Sequence, residues 1–459
     1  MTRIHGERAL LPGGWAREVA VTVEDGRIAG VTPGATPDAE ACGAAILLPA
    51  PANLHSHAFQ RAMAGMTEAR GPSSGPGGRD SFWTWRRLMY RFLERLGPED
   101  VQAIAALAYL EMLETGYAAV AEFHYLHHGP GGVPYENPAE LSARIAAAAA
   151  ETGIGLTLLP VLYTQGGTDG RLLAGGQRRF GNDMDAYVRL LDGAERAAAA
   201  VGPDARTGTA PHSLRAVPVE ALTDIAQLRP DAPIHMHIAE QEAEVAEVLA
   251  THGATPVRWL LEIGDVGPRW CLIHCTHMAP EETVGLARSG ATAGLCPITE
   301  SSLGDGIFDG ARFAAEGGTF GIGSDSNIRI ALSEELRTLE YSQRLRDRAR
   351  AVLAGPERST GRTLYAGACA GGARALGRDA GAIRPGAWAD LVAIDAEALA
   401  VAGLDGDALL DGWIFAGDDR LVRDVWSAGR HVVREGRHIG RDRVEARYRA
   451  AIARLRDAI

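Results

Sequence analysis

The sequence contains no lysine: all 46 of its basic residues are arginine. Every chemistry that needs an amine side chain is thereby excluded, including Schiff-base formation, pyridoxal attachment and a carbamylated lysine held between two metals. Cysteine is scarce too. The five thiols, Cys42, Cys271, Cys275, Cys296 and Cys369, are odd in number, scattered and without a Cys-x-x-Cys pair. That argues against a disulfide framework and suits reduced thiols in a cytoplasm. No stretch approaches the roughly 20 apolar residues that span a bilayer. Met1–Gly14 has no apolar run behind a basic cap, so a cytoplasmic protein with no export signal and no membrane partner is expected. Positive charge is in deficit, with 58 acidic against 46 basic residues and a net charge of -12. Lacking a basic stripe to neutralise phosphates, the chain is not expected to bind nucleic acid. A small-molecule ligand and a homo-oligomer, a dimer, are expected instead.

What is present is a chain of 459 residues, 46% hydrophobic, long enough to bury a large core. Short β-rich apolar segments alternate with segments of helical period. The strands are read at Ile46–Leu54, Ala118–Phe123, Gly155–Tyr163, Thr207–Ala210, Pro233–Ile238, Trp270–His274, Ala291–Cys296 and Thr319–Gly323. Helices are read between them, among others at Glu99–Thr115, Met184–Ala200 and Ser333–Arg350. Eight β-then-α units predict an α/β protein with a closed (β/α)8 TIM-type barrel rather than an open sheet. No Gly-x-Gly-x-x-Gly follows the first strand, which also weakens the open-sheet alternative. Both ends of the chain carry short alternating strands, Glu18–Val23 and Arg27–Val31 at one end and Val422–Trp426 at the other. They are read as halves of one small β-sandwich. The expected division is 1–48 and 385–440 for the sandwich, 49–384 for the barrel and 441–459 for a terminal helix. Gly71–Gly78 reads as a flexible Gly/Ser-rich loop.

Polar residues fall at one end of the predicted strands. His55 and His57 end the first, His237 and Glu240 the fifth, His274 and His277 the sixth, and Asp325 the eighth. Barrel enzymes assemble their sites at the C-terminal strand ends, so these residues converge on one pocket. The period of two in His55-Ser56-His57 places both imidazoles on one side. With His237 and Asp325 they make a His3Asp set suited to one zinc or iron(II) ion. Glu240, just beyond His237, can shuttle protons for an activated water, although an acid opening a helix is also a common structural feature. His274 is favoured over His277 as the catalytic histidine because it lies nearer its strand.

These residues support a resemblance. Pro51-Ala52-Asn53-Leu54-His55-Ser56-His57, His237 to Glu240, His274-Cys275, Gly323-Ser324-Asp325-Ser326 and Gly381 to Gly386 resemble the amidohydrolase superfamily over nearly the whole chain. The resemblance implies His55, His57, His237 and Asp325 as metal ligands and Glu240, His274 and Asp325 as catalytic groups. With no lysine, the chain looks like the single-metal deaminase branch. Within it, His57-Ala58-Phe59-Gln60-Arg61, Ser81-Phe82-Trp83-Thr84-Trp85-Arg86, Glu122-Phe123-His124-Tyr125 and Ala210-Pro211-His212-Ser213-Leu214-Arg215 resemble the formimidoylglutamate deiminase family of histidine degradation. A dicarboxylate substrate is then implied, and carboxylates are matched by the paired donors of arginine. Arg86 and Arg215, read on loops after the first and fourth strands, are the candidates for that role. Gln60, Tyr125 and His212 are further substrate-binding candidates. A nucleobase deaminase, an ester or amide hydrolase and a non-catalytic binding protein on the same fold are the rival readings.

Overall fold

The computed structural model describes residues 1–38, 40–68 and 82–456; Gly71–Gly78 and Ser81 lie outside them. Barrel strands run at Ala52–Ser56, Ala119–His124, Gly155–Leu162, Arg206–Thr207 with Ala210–Pro211, Ile234–Ile238, Trp270–His274, Thr292–Leu295 and Thr319–Ile322. Six of them are buried at every residue. That is the condition of strands covered on both faces, and it explains why they read as nearly continuous apolar runs instead of alternating ones. Neighbouring strands pair in parallel. Parallel bridges Thr209–Ile234 and Ser56–Asp325 join the two arcs, the second closing the ring between the last strand and the first. Helices Pro98–Glu114, Glu140–Thr152, Met184–Ala199, Pro280–Ser289 and Thr360–Ala375 are among those that connect or cover the strands. Helix Thr360–Ala375 lies so close to the last strand that a Cβ on Gly371 would sit 1.8 Å from the Phe320 carbonyl oxygen, a contact only glycine permits.

Away from the barrel, both chain ends join one eight-stranded sheet. Its order is Arg437–His438, Arg430–Arg434, Val422–Ser427, Leu391–Ile394, Cys42–Pro49, Thr2–Leu11, Gly14–Glu24 and Arg27–Thr32. The seam between the ends is the antiparallel pairing of Leu391–Ile394 with Cys42–Pro49. Alternation sorts this sheet's side chains: Ile46 and Leu48 join the main core, while Leu47 joins a second core with Val19, Val21, Leu391 and Trp426.

Two expectations need correction. The single strand read at Ile46–Leu54 is two, one in the end sheet and one in the barrel, divided at Ala50-Pro51. Pro51 has no N–H for a ladder, and the Ala50 N–H donates instead to the Asp390 carbonyl. Arg86 lies not on a loop but on the helix Phe82–Leu93. Its apolar residues Trp85, Met89, Phe92 and Leu93 recur at helical spacing and pack on the main core. Among the described residues, no helix is long and apolar enough to cross a membrane.

Candidate metal and substrate site

The closure of the ring builds the site. Asn53 and Ser324 bond side chain to side chain at 2.6 Å, Ser324 Oγ donates to Asn327, and Asn327 Nδ2 donates to Ser56 Oγ at 3.1 Å. Between them the Asp325 N–H donates to the His55 carbonyl, and the His57 N–H to that of Asp325, both at 2.9 Å. Gly323 is required here, because a Cβ would meet His55 Cβ at 2.7 Å. The first and last strands are thus locked in a register that places Asp325 against the two histidines. Ala239, His274, Cys275, Asp325 and Asn327 all take positive φ, from 46° to 72°. Such left-handed backbone at non-glycine residues costs energy and concentrates at functional sites.

His55, His57 and His237 direct Nε2 atoms at one point. The three nitrogens lie 3.2, 3.0 and 3.3 Å apart, and Asp325 Oδ1 is 3.5 and 3.3 Å from the first two. His57 Nδ1 donates to the Phe123 carbonyl and His237 Nδ1 to that of His212, which leaves their Nε2 atoms as lone pairs. Burial keeps the rings uncharged: it lowers His55 to about 3 and also lowers His57 and His237. Lone pairs converging without protons repel one another unless a cation lies between them. A tetrahedral ion with bonds of ~2.0–2.1 Å to nitrogen would separate its ligands by about 3.3 Å, so these donors fit a divalent metal. Burial opposes charge on Asp325, yet the hydrogen bond and field of His55, with His57 and His274, hold its carboxyl well below the usual range.

His274 sits across the cage, its Nε2 3.8 Å from Asp325 Oδ2 and 4.0 Å from Glu240 Oε1. Its Nδ1 is 3.2 Å from Glu300 Oε1, which also accepts the Cys296 N–H at 3.0 Å. Burial disfavours charge on this ring, but Glu240, Glu300 and Asp325 outweigh it and raise the imidazole to about 10. Burial in turn raises Glu240. Glu240, His274 and Asp325 line one cavity with His57 and His237; His277 is not among its lining residues.

The same cavity is lined by Gln60, Arg86, Tyr125, His212 and Arg215, with the Tyr125 ring 4.8 Å from that of His57 and the His212 ring 4.9 Å from that of His237. Gln60 Nε2 donates to the Tyr125 hydroxyl at 2.7 Å. The structure therefore brings every site residue read from sequence to one cavity or to the cage beneath it. It adds Trp85, Met89, Tyr163, Phe180 and Thr299. Glu300 and Tyr163 were not foreseen. Tyr163 directly follows a strand, so the strand-end rule could have found it; Glu300 had no such signal.

The chain matches the model of the amidohydrolase family over residues 46–432 and that of the "Formimidoylglutamate deiminase HutF, N-terminal domain" over residues 1–41. It is 51% identical to the formimidoylglutamate deiminase of Pseudomonas aeruginosa over 100% of both chains. To the 8-oxoguanine deaminase of the same organism it is 29% identical, over 95% of this chain and 94% of that one. A crystal structure of an amidohydrolase from Brucella melitensis superposes with a TM-score of 0.95 at 48% identity, covering 99% and 100% of the two chains. A zinc-bound adenosine deaminase from Xanthomonas campestris shares the fold, with a TM-score of 0.82 at 23% identity and 99% and 98% coverage. The chain belongs to the amidohydrolase family and, within it, to the formimidoylglutamate deiminases.

Proposed function

We propose that the protein hydrolyses N-formimino-L-glutamate to N-formyl-L-glutamate and ammonia, a step of histidine degradation. One observation carries this reading: a single cavity is lined both by His57, His237 and Asp325 of the His3Asp cage and by two arginines, Arg86 and Arg215. An amidine at one end of a substrate and two carboxylates at the other match that combination.

His55, His57, His237 and Asp325 would hold the metal, which we take to be zinc from the nitrogen-rich donor set and the zinc in the Xanthomonas relative; iron(II) suits the same donors. Such an ion supplies Lewis acidity, lowering the pKa of a water from ~15.7 toward about 7. Glu240 Oε1 takes the proton of the attacking water, and burial, by raising that carboxyl, readies it to pass the proton to the departing nitrogen. His274 Nε2 and Asp325 Oδ2 flank the attack and orient it. The water oxygen becomes the formyl oxygen, and both its protons leave on ammonia. Arg86 and Arg215 pair with the carboxylates, and Gln60, Tyr125 and His212 complete the substrate contacts.

We also propose a catalytic barrel of 49–384, an end domain of 1–48 with 385–440, a terminal helix of 441–459, and a cytoplasmic dimer. Ammonia release from N-formimino-L-glutamate, guanine, cytosine and adenosine tests the activity. The expected result is preference for the formimino compound, with loss of efficiency in Arg215→Met at normal metal content. Ready deamination of a nucleobase with none of formiminoglutamate would overturn it.

A further inference from the structure

Arg86 and Arg215 come from different parts of the chain, one on a helix after the first strand and the other on a loop after the fourth. Two guanidiniums lining one buried pocket repel each other unless something holds them. The phenol of Tyr163 lies between them. Arg86 Nη2 donates to its oxygen at 3.2 Å and Gln177 Nε2 at 3.1 Å, and Arg215 interacts with the same phenol.

Unlike the arginines, Tyr163 stands at the end of a barrel strand, Gly155–Leu162. Its N–H donates to Asn182 Oδ1 at 3.0 Å, and its carbonyl accepts the Asn182 N–H at 3.1 Å. The ring packs against His212 at 4.5 Å and Phe180 at 5.6 Å between centroids and is fully buried. Burial disfavours a phenolate, but Arg215 and Arg86 more than offset this and lower the hydroxyl's pKa. The oxygen is thus a strong acceptor fixed to the rigid part of the fold.

We infer that Tyr163 is a positioning residue that ties Arg86 and Arg215 into one clamp of fixed spacing, and so makes the site selective for the length of a dicarboxylate. This rests on the dicarboxylate reading above. Preorganised donors avoid the ordering cost of a substrate that must gather two mobile cations itself. A clamp of fixed reach rewards one carboxylate separation over another. Without the hydroxyl the arginines remain, but the partner they share is gone.

The test is Tyr163→Phe in the full-length, metal-loaded enzyme, with N-formimino-L-glutamate and its analogue one methylene shorter, N-formimino-L-aspartate. A hydrogen bond to a charged group is worth about a factor of 10 or more. The expected result is a KM for the glutamate compound raised about 10-fold, with kcat little changed and normal metal content. The glutamate-over-aspartate preference in kcat/KM should fall by a similar factor. Unchanged KM and preference, or an equal loss on both substrates, would overturn the inference. If Tyr163→Phe does not fold, Gln177→Leu perturbs the same oxygen from its other side. It should shift the preference in the same direction by a smaller factor, and no shift would count against the clamp. Wild-type enzyme inactive on formiminoglutamate would instead bring down the functional reading itself.

Discussion

The two ends of the barrel both bury charge, and they do so in opposite ways. Near the N-terminal strand ends, the Arg378 guanidinium binds Asp390 through Nε and Nη2 at 2.6 and 2.9 Å, and the Asp204 carbonyl through Nη1 at 2.7 Å. Asp204 also receives Arg430, and Asp390 the Ala428 N–H. This cluster lies over Gly155 at the start of the third strand and ties the barrel to the end sheet. Every nitrogen of Arg378 is engaged. At the C-terminal end, three imidazole Nε2 atoms face one another, and the buried Gln60 Oε1 and Glu244 Oε1 find no partner among the described residues. A satisfied cluster is complete as structure. The other gathers donor atoms of a kind that suits a cation.

The largest effect should come from the incomplete end. His237→Ala removes one of the four proposed ligands, so elemental analysis should find most metal lost and turnover at background, with the fold retained. Full occupancy would sink the cage. Acid offers a second view of the same residues. Because burial lowers His55, His57 and His237, their metal-binding form persists as pH falls through ~6.5, where an ordinary imidazole takes a proton. Metal should stay bound through dialysis at about pH 5, and release centred near 6.5 would contradict their burial. In metal-free protein the sign follows from linkage: unfolded imidazoles take protons that folded ones refuse, so stability falls as pH drops below about 6.5.

Arg378→Met should do the reverse. It leaves Asp390 buried with its charge uncompensated, which costs about 3–5 kcal/mol of stability. A lower Tm with normal metal content and kcat/KM is expected. Lost metal or a changed KM, with the fold intact, would mean that the two ends are coupled.

How far each region could be read from sequence follows the same division. The cage was legible because a period of two fixes which way His55 and His57 point, and because a barrel gathers strand ends whatever their separation. The break between the end-sheet and barrel strands is marked only by Pro49 and Pro51, inside an apolar run that otherwise reads as continuous from Ile46 to Leu54. Arg86 was legible as a residue but not as part of a helix, since the segment before it follows a Gly/Ser-rich stretch. Glu300 was silent. It opens the short helix Pro297–Leu303, where an acid ordinarily answers the helix dipole, and its bond to His274 joins neighbouring strands across 26 residues.

Two carboxylates beside His274 sharpen the contrast within the incomplete end. Glu240 faces the cavity, so Glu240→Gln should keep its metal and lose about 10²-fold or more in kcat, because the proton shuttle goes and no ligand does. Near-normal turnover would reduce Glu240 to an acid at the start of a helix.

Glu300 should matter less, because it reaches the reaction only through the ring it holds. Its Oε1 receives both His274 Nδ1–H and the Cys296 N–H, so the carboxylate fixes the ring's orientation and aims Nε2 at Asp325 and Glu240. Glutamine in its place is isosteric. Its carbonyl oxygen can still accept one of these bonds, but the charge that helps keep His274 protonated is gone. Glu300→Gln should therefore retain metal and KM while kcat falls by about 10-fold, roughly the strength of one charge-assisted hydrogen bond. The alkaline limb of the kcat profile should move to lower pH, since a ring that has lost a neighbouring carboxylate gives up its proton more readily. A kcat loss with an unmoved profile would show that Glu300 only packs against the strand. A loss as large as that of Glu240→Gln would mean that aiming His274 is as important as the proton shuttle.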